Sequence, residues 1–166
     1  MIRPAVLGLA DTYRDRFQTA TPFRHLCVED FLEPEFVAQA LADFPVFDTR
    51  KAINEFGEVG GKAVVEDIAA ISPFYKAFHD YICSPEFLNA MSAITGIEGL
   101  QADPTLYGGG THDNRHGQQL DPHIDFNYDP RSRRHRRLNL LIYLNPEWEL
   151  AWGGDIELHS DPRKPY

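Results

Sequence analysis

The run at residues 137–145, RLNLLIYLN, constrains the fold of this chain more than any other. Side chains of an extended strand alternate between two faces. Leu138, Leu140, Ile142 and Leu144 therefore share one face, and Arg137, Asn139, Leu141 and Tyr143 share the other. The first face is purely apolar and calls for a cover of helices. The second mixes polar with apolar groups, as the wall of a binding cavity does. Around it, residues 100–166 read as strands joined by polar, Gly/Pro-rich loops. In residues 154–159, GDIELH, Ile156 and Leu158 share one face. Asp155, Glu157 and His159 share the opposite one, read as solvent-facing.

Residues 1–99 mix helical patterns with short extended pieces. Residues 24–32, RHLCVEDFL, predict a strand running into a helix. Pro34 fits a first helical turn, and Phe36, Val37, Ala40, Leu41 and Phe44 follow at helical spacing. Ser72-Pro73 and Ser84-Pro85 are further helix starts, each a capping serine before a proline. The second of these helices should stop near Gly96.

The chain has 166 residues, 43% of them hydrophobic and 12% aromatic, which suits one domain with a packed core. The expected division is a helical support region at 1–99 and a strand-rich region at 100–166. Net charge is −9, which gives no expectation of a nucleic-acid partner. Cys27 and Cys83 lie in no CxxC or zinc-ligand spacing; they fit buried thiols in a reducing compartment, or one disulfide. No stretch approaches membrane-spanning length, and the first apolar run is too short for a signal peptide. A soluble, cytoplasmic protein with no membrane partner is expected.

The segment at residues 120–130, LDPHIDFNYDP, carries the chemistry. His123 and Asp125 are two residues apart, so on an extended strand both side chains point the same way. One neutral imidazole and one carboxylate so placed can take adjacent sites on one metal ion. They make two-thirds of the 2-His-1-carboxylate triad that leaves open positions on non-haem Fe(II). An isolated H-x-D also arises by chance in turns. Here it follows Tyr107-Gly108-Gly109-Gly110 and precedes the YLN strand and then Trp152-Gly153-Gly154-Asp155-Ile156-Glu157-Leu158.

That order resembles the prolyl 4-hydroxylase-like group of 2-oxoglutarate/Fe(II)-dependent oxygenases. The DFLEPEFV segment near the N-terminus is also similar to that group's opening strand and helix. The resemblance implies an α+β chain, mainly β with helices: a double-stranded β-helix, or jelly roll, with N-terminal helices on its larger sheet. It implies His123 and Asp125 as iron ligands and as the catalytic residues. Tyr143 would hydrogen-bond the distal carboxylate of 2-oxoglutarate. Tyr107 and Ile156 would line the same pocket, and Asn139 lies on Tyr143's strand face. Plain core packing is the alternative for each of these four. The implied cofactor is Fe(II) and the implied co-substrate 2-oxoglutarate. The implied activity is hydroxylation of an unactivated C–H in a peptide or small-molecule substrate, with 2-oxoglutarate and O2 converted to succinate and CO2. Halogenases related to this group carry a small residue where Asp125 stands, so a carboxylate there favours hydroxylation.

The resemblance also calls for a third ligand, a histidine on a later strand, and a basic residue that pairs with 2-oxoglutarate. Both lie downstream of the G-G-[DE] strand in the group, which leads to the expectation of a jelly roll incomplete at its C-terminus. His159 lies on that strand with parity opposite to Ile156 and Leu158, so it is expected to face outward. Two other readings stay open: a non-catalytic jelly-roll binding module, and a cupin-like metal enzyme of another reaction class.

Three further features read as loops. His112 and His116 sit in the polar stretch GTHDNRHGQQ. Residues 131–137, RSRRHRR, form a basic cluster, read as mostly solvated, whose local positive field could attract an anion. Residues 57–63, GEVGGKA, resemble a phosphate loop but fail its spacing, and a mobile loop is the better reading.

Overall fold

The computed structural model describes residues 1–53, 59–118 and 123–161. Helices α1 (Pro4–Gly8), α2 (Ala10–Thr19), α3 (Pro34–Ala42), α4 (Pro73–Ile82) and α5 (Pro85–Thr95) all precede residue 96. Strands β1 (Lys62–Val65), β2 (Thr111–Asn114), β3 (Tyr128–Asp129) and β4 (Arg134–His135) make two small antiparallel sheets, β1 with β2 and β3 with β4. The described chain is thus a mixed helix and sheet structure.

The two Ser-Pro pairs start helices as the sequence predicts. The Ser72 and Ser84 hydroxyls accept from the amides of Tyr75 and Phe87, each at 3.2 Å. The prolines that follow occupy a position where no N–H is needed. Helix α5 ends at Gly96, whose φ of +71° suits a residue without Cβ.

Helix α5 builds the core. Its Phe87, Met91 and Ile94 are buried with Ile2 and Val6, and Leu26, Val28 and Leu138 pack against them. Helix α2, which the sequence reading did not anticipate, closes the other end of α5. Arg14 Nε donates to the Ala93 carbonyl at 2.9 Å, and Gln18 Nε2 to the Thr95 carbonyl at 2.6 Å. The last carbonyls of a helix have no intrahelical partner, and two side chains one turn apart on α2 supply them.

Helices α3 and α4 meet through rings. Phe36 lies 4.8 Å from Phe74 and 5.0 Å from Phe78 between centroids. Tyr75, only 2% exposed, donates its hydroxyl to the Ala40 carbonyl at 2.9 Å.

Several expectations are corrected. Residues 24–32 form no continuous strand. Leu32 makes a single bridge with Ile2, and Asp30 interrupts the extended backbone with a φ of +51°. Lys62 and Ala63, read as part of a mobile loop, belong to β1, while Gly57 and Glu58 lie outside the described residues. His112, read as a loop residue, belongs to β2 opposite Val64. His116 follows that strand and is exposed. Cys27 is exposed rather than buried, and both thiols are free, so no disulfide joins them.

The jelly roll is not formed among the described residues. Residues 137–145 and 154–159 run without a ladder. Alternation of side chains requires only an extended backbone, whereas a sheet also requires a neighbouring chain to take its amides and carbonyls. The alternation itself is present: Leu138, Ile142 and Leu144 are half-buried, while Arg137, Asn139, Leu141 and Tyr143 are exposed. Leu140 departs from it and is exposed. At 154–159 the expected polarity fails. Ile156 and Leu158 are exposed, and His159 is the half-buried residue, drawn to Glu157 at 2.9 Å. Among the described residues, no helix is long and apolar enough to cross a membrane.

Gly110 sets the join between the helical part and the first sheet. Its φ is +96°, and a Cβ there would run into the Val65 carbonyl oxygen, one pair from the Val65–Thr111 register position. Gly110→Ala therefore has both an unfavourable backbone and no space. It should lower unfolding free energy by roughly 1–3 kcal/mol, read by urea denaturation.

Candidate metal centre

The β3–β4 hairpin organises the candidate site. Tyr128 pairs with His135 and Asp129 with Arg134, and the Arg136 amide donates to the Asn127 carbonyl at 2.9 Å. The turn is held by Asp129, whose carboxylate accepts from the amides of Arg131 and Ser132 at 3.0 and 3.3 Å. The Arg131 amide first, and then the Ser132 hydroxyl, hold its pKa below the usual carboxylate value. This hairpin brings the segment after residue 135 back beside residues 123–126.

His123 and Asp125 are brought together. His123 Nε2 lies 3.3 Å from Asp125 Oδ1, and the two side chains are about half exposed. The spacing suits a shared cation. With metal–ligand bonds of about 2.1 Å, neighbouring donors stand about 3.0 Å apart on an octahedron and about 3.4 Å apart on a tetrahedron. The donor types, imidazole and carboxylate, are those of a non-haem iron site. Among the described residues, no third His, Cys, Asp or Glu joins them.

The residues expected to line a 2-oxoglutarate pocket divide into two groups. Tyr143 and Ile156 share an open cleft of about 330 Å³ with Asn145, Trp148, Gly154 and Asp155. Trp148 stands edge-on to Tyr143, with centroids 6.0 Å apart. Partial burial of the Tyr143 phenol, and then the Asp155 carboxylate, raise its pKa, so it stays a protonated donor at neutral pH. Tyr107 and Asn139 lie instead toward the His123–Asp125 side. Tyr107 packs on Phe126 at 5.2 Å, under the Arg131 guanidinium at 3.9 Å. Asn139 Nδ2 donates to Asp125 Oδ2 at 3.3 Å.

The basic cluster is more engaged than a solvated loop. Arg131 stacks on Tyr107, and Arg134 reaches the Ala102 carbonyl at 3.5 Å. Arg136 lies 3.5 Å from Asp125 Oδ2 and 4.8 Å over the Phe126 ring. In the sequence Arg136 stands only as one member of the basic cluster at residues 131–137. The available signal was the hairpin itself, since a short turn after Asp129 sets Arg136 opposite Asn127.

An imidazole and a carboxylate on adjoining positions, backed by a hairpin, define a candidate metal-binding site. Residues 109–166, which include this pair, the YLN run and the G-G-D segment, match the model of the 2OG-Fe(II) oxygenase superfamily. The match supports an oxygenase, an oxidoreductase whose chemistry joins iron to 2-oxoglutarate. No curated protein and no solved structure matches the chain.

Proposed function

We propose that this protein is a prolyl 4-hydroxylase-like dioxygenase that hydroxylates an unactivated C–H in a peptide or small molecule. The observation that carries the reading is the 3.3 Å approach of His123 Nε2 to Asp125 Oδ1 within the matched segment. In the overall reaction, substrate C–H, O2 and 2-oxoglutarate become C–OH, succinate and CO2. When bound, iron and 2-oxoglutarate supply the O2 chemistry.

The chain's own residues supply coordination and positioning. His123 and Asp125 would hold the iron, the one through its imidazole and the other through its carboxylate. The protonated Tyr143 hydroxyl donates to a 2-oxoglutarate carboxylate. Ile156 gives the same cleft an apolar wall, which favours the ligand's methylene carbons over water. Tyr107 and Asn139 belong to the metal side of this arrangement, with Asn139 serving Asp125 rather than 2-oxoglutarate.

The test is succinate formation by the full chain given Fe(II), ascorbate, O2 and 2-oxoglutarate. The expected result is succinate above the enzyme-free background, abolished by EDTA. Metal binding with no consumption of 2-oxoglutarate would instead favour a cupin-like enzyme of another class. No metal binding at all would favour a jelly-roll binding module.

A further inference from the structure

We propose that Asn139 is a positioning residue for the Asp125 carboxylate, with the orientation of its carboxamide set by Arg136. This rests on the reading of Asp125 as a metal ligand. A guanidinium can only donate. Arg136 Nη2 lies 2.9 Å from Asn139 Oδ1, which makes that oxygen the acceptor. The Asn139 amide group is thereby turned so that Nδ2 faces Asp125 Oδ2, at 3.3 Å. Arg136 Nη1 also approaches Oδ2, at 3.5 Å.

A hydrogen-bond donor, Asn139 Nδ2, and a counter-charge, the Arg136 guanidinium, therefore converge on one oxygen of Asp125, and the other oxygen faces His123 Nε2 at 3.3 Å. A carboxylate held this way offers Oδ1 to a cation beside the imidazole and resists rotating away. Arg136 can serve as the anchor because it is itself fixed. Its side chain is 24% exposed, it stacks over Phe126 at 4.8 Å, and its amide extends the β3–β4 hairpin at 2.9 Å. Partners behind a metal ligand commonly matter by 10–100-fold in metal affinity.

The two variants that test Asn139 and its anchor, Asn139→Leu and Arg136→Lys, keep the net charge, so that long-range electrostatics do not confound the result. Mn(II) binding is measured by electron paramagnetic resonance for wild type, Asn139→Leu, Arg136→Lys and Asp125→Ala, with thermal unfolding midpoints for each. The expected result is a Kd weaker by roughly 10-fold or more in Asn139→Leu, and by several-fold in Arg136→Lys, at unchanged midpoints. Wild-type affinity in Asn139→Leu overturns the inference and leaves the metal reading standing. A parallel fall in midpoint and affinity assigns Asn139 a packing role and also overturns it. Mn(II) binding that survives Asp125→Ala overturns the metal-ligand reading itself, and the inference with it.

Discussion

Asp125→Ala and His123→Ala should each weaken Mn(II) or Fe(II) binding by at least about 100-fold and remove Fe(II)-dependent succinate formation. The size follows from position. Groups that act through a metal ligand cost 10–100-fold when removed, and loss of the ligand itself should cost no less. Asp125→Ala also removes the negative charge next to a divalent cation. Folding should not follow the same course. Both side chains are about half exposed, at 51% for His123 and 48% for Asp125. Surface replacements of this kind usually change stability by within about 0.5 kcal/mol. Isothermal titration with the metal, beside urea denaturation of the apoprotein, separates the two effects. Unchanged metal affinity in both variants would remove the basis for placing iron at this pair.

The largest expected effect on stability is at Tyr75. Its ring is 2% exposed, and it stands at the junction of α3 and α4 with Phe74 and Phe78 around it. Tyr75→Ala should cost about 3–5 kcal/mol through lost burial and the cavity left behind. Against a typical total of about 5–15 kcal/mol, that is enough to unfold much of the population. Tyr75→Phe isolates the hydroxyl. The Ala40 carbonyl lies near the end of α3, where helix carbonyls lack partners, and it takes the Tyr75 proton at 2.9 Å. Leaving that carbonyl unsatisfied should cost about 1–3 kcal/mol.

The same hydroxyl gives a pH signature. Burial, and then the Asp43 carboxylate, push the Tyr75 pKa from 10.0 up to about 12. The folded protein thus holds the proton more tightly than the unfolded chain. The associated stability is fully present below pH 10 and is lost as pH rises toward 12. Wild type should lose stability across that window, and Tyr75→Phe should lose less. Urea midpoints at pH 9 and at higher pH check the sign.

Part of this architecture was legible because it obeys short-range rules. Ser72 and Ser84 cap helices because a serine oxygen reaches the amide three residues on, and Gly96 ends α5 because only glycine takes a left-handed backbone freely. The alternation at 137–145 was readable for the same reason, since the side-chain period of an extended chain is a local property. So was the shared direction of His123 and Asp125, which come together at 3.3 Å without any strand ladder beneath them.

What the local rules could not carry was pairing over distance. Helix α2 bonds α5 across sequence separations of 79 and 77 residues, and nothing near Arg14 or Gln18 announces the carbonyls they will meet. The GGKA stretch looked like a loop because glycines are permissive, yet Lys62–Val65 become a strand by pairing with Thr111–Asn114. Tyr107 and Tyr143, which the family resemblance implies in one pocket, pack on different rings, Phe126 and Trp148. The sequence by itself determined the helix starts and stops, the two-faced extended run and the imidazole–carboxylate pair, all of which depend on neighbours within a few residues. Only the tertiary structure decided that Arg136 and Asn139 would back Asp125, because that contact exists only once the hairpin folds residues 136–139 onto residues 123–126.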